Sequence, residues 1–181
     1  MPNFANIPTV TRMATTEKGK LWIVTGFTGT GKTTFVKRLI SKVPDPVIFD
    51  VNNEYNRPQY YGDTLPAVDD WLEHINRNVR NKIVIVDEAT IFFKTSGSGK
   101  KLTEALVRKR HTGNTYILNF HFLGSVPNDV LAFANYFVLF KTKEREDLIR
   151  HKLESEAAIW KCYKDLQTHP NQHEYRVIKR I

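Results

Sequence analysis

At 181 residues, with 41% apolar and 12% aromatic content, the chain is long enough for one compact core and too short for two ordinary domains. Its single cysteine, Cys162, excludes an internal disulfide and offers no metal-ligand spacing, and no apolar run reaches the roughly 18 to 20 residues that a membrane helix requires. The net charge of +8 is uneven, with 11 Lys and Arg against 10 Asp and Glu in residues 1–90 but 16 against 9 in residues 91–181, which suits either a polyanionic partner or a solvated basic surface.

Residues 1–18 are rich in Pro, Thr and Asn and lack periodicity, so they read as a flexible arm that orders only by docking. They also lack the basic start and apolar block of a secretory signal, and a cytosolic setting is expected. Residues 19–181 form the expected domain. "LWIVTGF" is a first strand, and "KTTFVKRLISK" has helical spacing until Pro44. "PVIFDV" is a second strand. Val68, Trp71, Leu72, Ile75 and Val79 share one face of an amphipathic helix, where core packing is the natural role. "KIVIVDEA" is a third strand, "LTEALVRKR" a short helix, "TYILNFHF" a fourth strand, "PNDVLAFA" a helical turn or two, and "YFVLF" a fifth strand. Residues 143–166 are helical in pattern, and "EYRVIKRI" is a closing strand. Strands that are apolar nearly throughout, separated by helices, predict an α/β fold with a mostly parallel sheet covered on both faces.

Gly26-Phe27-Thr28-Gly29-Thr30-Gly31-Lys32-Thr33 fits G-x-x-x-x-G-K-[ST] at every fixed position, between a strand and a helix. Glycines let successive N–H groups of such a loop turn inward onto phosphates. With Thr34, these residues are the expected ATP-binding set: Lys32 reaches the β- and γ-oxygens, the Thr33 hydroxyl binds Mg²⁺, and the helix start adds partial positive charge. "IVIVDEA" supplies Asp87 for the Mg²⁺ shell, through water, and Glu88 to polarise an attacking water. The adjacent Glu also argues against a small-molecule kinase, in which transfer to substrate must outcompete water.

A second glycine-rich stretch, Ser96-Gly97-Ser98-Gly99-Lys100-Lys101, fails the same template, because Lys94 stands in place of the first glycine and Lys101 in place of the hydroxyl. One nucleotide site is therefore expected, followed by a flexible basic insert. Residues 94–110 hold six basic side chains (Lys94, Lys100, Lys101, Arg108, Lys109, Arg110) and one acidic, Glu104. Glycine-flanked lysines can follow a nucleic-acid backbone without reading its sequence, or simply solubilise a loop. Arginines at a helix end can reach a neighbour's γ-phosphate, or satisfy the helix's own carbonyls.

The order "GFTGTGKTT", "FDVNNEY", "IVIVDEA", "EALVRKRHTGNTYILNFHFLGSVPNDVLAFANYFVLFKT" resembles the HerA/FtsK class of P-loop DNA translocases. More narrowly it is similar to the genome-packaging ATPases of tailless icosahedral viruses with an internal membrane, over roughly residues 20–178. The resemblance implies a RecA/ASCE-like sheet in which the fourth strand separates the P-loop and Asp87 strands. It implies Arg110 as the finger supplied in trans, and a γ-phosphate sensor at His121, where the family usually has glutamine. A histidine can still donate to phosphate, but with a pH dependence that glutamine lacks; a satisfied core histidine is the alternative. Asp50 and Glu54 fall in the family's acidic motif, with nucleotide-side or interface support as the implied role.

The same resemblance implies an ATPase pumping DNA, double-stranded as the first expectation, through a homo-oligomeric ring, a hexamer being one count open to it. Lys94, Lys100 and Lys101 would face the DNA. Capsid or vertex proteins are the implied docking partners, in the host cytoplasm or at a virion's packaging vertex. The rivals are a filamentous-phage-type assembly or secretion ATPase, against which the lack of a membrane segment weighs, and a monomeric nucleotide-dependent binding module or small kinase.

Overall fold

A computed structural model describes residues 7–56, 65–93, 96–153 and 156–180. The elements are α1 (Ile7–Thr16), β1 (Leu21–Thr25), α2 (Lys32–Leu39), β2 (Val47–Phe49), α3 (Leu65–Asn78), β3 (Ile83–Val86), α4 (Thr90–Phe93), α5 (Ser96–Thr112), β4 (Thr115–Phe120), α6 (Asn128–Phe133), β5 (Tyr136–Phe140), α7 (Glu146–Leu153), α8 (Ala157–Thr168) and β6 (Tyr175–Lys179).

The six strands form one sheet in the order β2-β3-β4-β1-β5-β6. All pairs are parallel except β5 with β6. As expected, β4 lies between the P-loop strand and the Asp87 strand. The parallel strands are mostly apolar because both faces are covered, whereas the edge strand β6 carries Arg176 and Lys179. On one face, Leu21, Ile23, Val84, Val86, Tyr116 and Leu118 pack with Trp71, Leu72 and Ile75 of α3 and Leu102 and Leu106 of α5. On the other, Trp22, Val24, Ile85, Ile117 and Val138 pack with Phe35, Val36 and Leu39 of α2. Each of these large side chains contributes roughly 1.5–3 kcal/mol by leaving water.

Within the arm, residues 7–16 form α1, which docks through Val10 and Ala14 on the same core face as α2. The stretch with a helical pattern, 143–166, carries α7 and most of α8. One local expectation differs from what is found. "SGSGKK" is not a loop but the start of the 17-residue α5. Packing overrides the weak helix propensity of glycine there: a Cβ on Gly99 would lie 3.2 Å from Phe93 Cδ1 and 3.3 Å from the carbonyl oxygen of Phe92. Glycine serves close contact with α4, and Gly99 O in turn accepts the Thr103 hydroxyl at 2.9 Å.

Candidate nucleotide site

The sheet register assembles the site at the carboxyl ends of the parallel strands. Val86 of β3 is level with Leu118 of β4, so Asp87 comes beside Asn119, which in turn is level with Val24, two residues before Gly26. A Cβ on Gly26 would sit 2.5 Å from Phe140 Cβ, which leaves room only for glycine as the chain leaves β1. The loop is then tied to the end of β5 by the Phe27 N–H donating to Lys141 O at 3.1 Å. It is closed internally by Thr30, whose hydroxyl donates to Phe27 O at 2.8 Å. Gly29 (φ 84°) and Gly31 (φ 100°) adopt left-handed backbone that side-chain-bearing residues disfavour. Gly31 caps α2 without any side-chain hydrogen bond to the first helical amides. Those amides are the donors that an anion at a helix start would use.

Lys32 is buried, and its Nζ donates to Gly26 O at 2.6 Å and Phe27 O at 3.3 Å. Burial lowers its pKa from the ordinary lysine value, while the carboxylates of Glu88, Asp87 and Glu54 pull the other way. Across the cleft, Asp87 Oδ1 accepts Asn119 Nδ2 at 2.7 Å. Burial raises the Asp87 pKa to about 6, with the Asn119 hydrogen bond opposing and Glu88, Glu54 and Asp50 adding to the rise.

Glu88 takes a left-handed backbone (φ 55°), an uncommon conformation for such a residue and a cost that functional turns tolerate. The turn is fixed by the Ala89 N–H donating to Asn119 O at 2.8 Å. It aims Glu88 at His121, whose Nε2 lies 2.5 Å from Glu88 Oε2. His121 Nδ1 is buried and has no hydrogen-bond partner among the described residues. Asp50 is fully buried and holds the turn after β2 by accepting the Tyr55 N–H at 2.9 Å. That turn leaves Glu54 on the cleft wall.

These groups enclose a cleft of about 920 Å³, with Thr28, Gly29, Gly31, Lys32, Thr33 and Thr34 on the loop side and Asp87, Glu88 and His121 opposite. Its chemistry fits a Mg²⁺-bound nucleoside triphosphate. Uncapped amides and a buried ammonium suit phosphates, and one hydroxyl with one buried carboxylate suits a hard cation that keeps phosphate and water ligands. Among the described residues no group of three or more His, Cys, Asp or Glu could hold a metal by itself, so the cation's remaining ligands would be phosphate and water oxygens.

Arg110, Lys100 and Lys101 do not line the cleft. Arg110 is exposed in the last turn of α5, with its Cα 3.0 Å from where a Cβ of Gly19, just before β1, would stand. It therefore sits at the amino ends of the strands, at the opposite edge of the sheet from the cleft. Lys100 is exposed and Lys101 half-buried on the first turns of α5, whereas Lys94 lies outside the described residues.

Residues 22–92 match the family model described as the viral superfamily 1 RNA helicase core domain. Among curated proteins none matches the sequence. Among solved structures, the DNA-packaging ATPase B204 from Sulfolobus Turreted Icosahedral Virus superposes with a TM-score of 0.67 at 16% identity, over 91% of this chain and 99% of that one. The genome packaging NTPase B204 from Sulfolobus turreted icosahedral virus 2, in complex with ATP-gammaS, gives 0.66 at 19% identity, over 88% and 91%. The N-terminal domain of zonular occludens toxin from Neisseria meningitidis gives 0.56 at 18%, over 70% and 78%. The chain has the P-loop NTPase fold.

Within this P-loop NTPase fold, three residues escape a reading of the sequence alone, His173 lining the cleft and Asn119 and Tyr55 buried behind Asp87. Asn119 carries a weak signal, as the one amide in the otherwise apolar or small β4. Tyr55, whose hydroxyl lies 3.3 Å from Asn119 Nδ2, carries none. Burial foremost, then the charges of Asp87, Asp50 and Glu54, push the Tyr55 phenol pKa well above its ordinary value, so it stays neutral. His173 reaches the loop from the turn before β6, with Nδ1 3.2 Å from Thr30 O.

Proposed function

We propose that the protein is an ATPase that hydrolyses ATP in a ring of subunits and drives DNA into a viral capsid. The observation that carries the hydrolytic part is the Glu88–His121 contact of 2.5 Å, in the same cleft as Lys32 and Asp87. The likeness to packaging ATPases over nine-tenths of the chain supports the polymer and the setting.

In this reading Lys32 and the first amides of α2 hold the β- and γ-phosphates, which requires the lysine to exchange its Gly26 and Phe27 carbonyl contacts for phosphate oxygens. Thr33 and, through water, Asp87 would hold Mg²⁺, which would neutralise charge on the phosphates. Glu88 accepts a proton from water as the water oxygen bonds to the γ-phosphorus and the bond to the bridging oxygen of ADP breaks. His121 keeps the Glu88 carboxylate turned toward the γ-phosphate. Arg110, at the far edge of the sheet from its own cleft, serves the cleft of a neighbouring subunit. Repetition of that head-to-tail contact closes a ring.

The helicase match over residues 22–92 favours a second reading, an RNA-dependent ATPase. Those residues span β1 to α4 and hold the phosphate loop and Asp87-Glu88, parts that any P-loop ATPase needs. Steady-state ATP turnover with linear duplex DNA, single-stranded DNA and single-stranded RNA separates the two. Packaging predicts the largest stimulation with duplex DNA; stimulation by RNA alone selects the second reading.

A further inference from the structure

The closing strand places a histidine over the phosphate loop. Because β6 runs antiparallel to β5, with Tyr175 level with Phe140, its first residue lies at the edge of the sheet where β1 releases the loop. Hydrogen bonds tie the turn that leads into it, residues 169–174. Asn171 Oδ1 accepts the His173 N–H at 3.0 Å, His169 Nδ1 accepts the Asn171 N–H at 3.2 Å, and Lys141 Nζ donates to His169 O at 3.2 Å.

The outcome is a half-buried imidazole that lines the same cleft as Gly31, Thr34 and Arg38. A Cβ on Gly31 would lie only 3.8 Å from its Nδ1. His173 stands on the β5–β6 side of the loop, whereas Asp87, Glu88 and His121 follow β3 and β4 on the other side. It is therefore remote from the bond that breaks. Both ring nitrogens are engaged: a carbonyl oxygen can only accept, so Nδ1–H donates to Thr30 O at 3.2 Å, and Nε2 lies 3.3 Å from Gln172 Nε2, which can only donate. With both nitrogens so engaged, what the ring has left to offer a ligand is its face.

We infer that His173 is the base platform of the nucleotide site, stacking in cis on the purine of the triphosphate held by Lys32. The inference rests on the ATP-binding reading above. Stacking uses a π-face that every purine has, so the platform adds affinity for the nucleoside end without choosing adenine over guanine.

The test is equilibrium binding, by calorimetry, of ATP, GTP and inorganic tripolyphosphate to the wild type, His173→Ala and His173→Phe, with thermal melts to confirm folding. The expected result is that His173→Ala weakens ATP and GTP about tenfold, leaves tripolyphosphate unchanged, and is rescued by His173→Phe. An equal loss for tripolyphosphate makes His173 a brace of the loop and overturns the inference, as does unchanged ATP affinity in His173→Ala. If the wild type binds none of the three ligands, it is the nucleotide reading itself that falls.

Discussion

Glu88 and His121 come from the ends of adjacent strands, β3 and β4, and meet at 2.5 Å between Oε2 and Nε2. An imidazole in that position fixes which carboxylate oxygen faces the cleft, so in the proposed hydrolysis Glu88 and His121 would act as one unit. Glu88→Gln is expected to bind ATP and to slow turnover by about 10²- to 10⁴-fold. His121→Gln keeps a donor and should retain most activity; His121→Ala should lose more in kcat than in ATP affinity. Single-turnover hydrolysis beside a nucleotide-binding titration measures both, and near-native turnover in Glu88→Gln would remove the assignment of the base.

The buried Asp87 carboxyl makes the metal-free protein pH-sensitive. Its folded pKa, about 6, lies above the ordinary 3.8, so the folded chain holds this proton to higher pH than the unfolded chain does. The stability contribution is full below about 3.8 and is lost as pH rises through about 6, a change on the order of 3 kcal/mol. Asp87→Asn, which still accepts from Asn119, should raise the melting temperature at pH 8 in EDTA, with little change at pH 4. The same variant should lose Mg²⁺-dependent turnover. Melting curves that coincide for the two proteins at pH 8 would contradict the burial argument.

In the proposed ring, Arg110 would contribute only where subunits touch. Arg110→Ala should reduce turnover by about 10³-fold with little change in ATP affinity, and wild-type specific activity should rise with protein concentration. Mixing Arg110→Ala with Glu88→Gln subunits should restore some turnover, since one brings an intact base and the other an intact finger. No loss on removal of Arg110 would leave it as a helix-end cation.

Lys100 and Lys101 are candidates for contact with a nucleic-acid backbone, carried on the first turns of α5 rather than on a hinge. Lys100→Ala with Lys101→Ala should flatten the slope of log affinity against log salt by about 1 to 2 units while ATP binding stays intact. Fluorescence anisotropy across a salt series reads this, and an unchanged slope would turn the two lysines into solvated charges.

The residues that the sequence discloses and those it hides divide along physical lines. The loop from Gly26 to Thr34 and the Asp87-Glu88 pair are legible because each is local, a glycine pattern and a strand end that carry their chemistry in a few consecutive residues. The strands are legible because a sheet covered on both faces needs apolar residues at most positions. Asn119 is hidden because its partner Asp87 is set by strand register, and His173 because it reaches Thr30 only through the antiparallel return of β6, across 143 positions of sequence. Gly99 misleads for the opposite reason: glycine signals a loop locally, yet here it admits the close packing of Phe92 and Phe93.

The central claim, that hydrolysis moves DNA, is tested most directly by displacement of a triplex-forming oligonucleotide from a linear duplex. The wild type with ATP and Mg²⁺ should release the oligonucleotide at a rate that follows ATP turnover, and Glu88→Gln, or the wild type with a non-hydrolysable analogue, should not. DNA-stimulated hydrolysis without any displacement would contradict the translocation account.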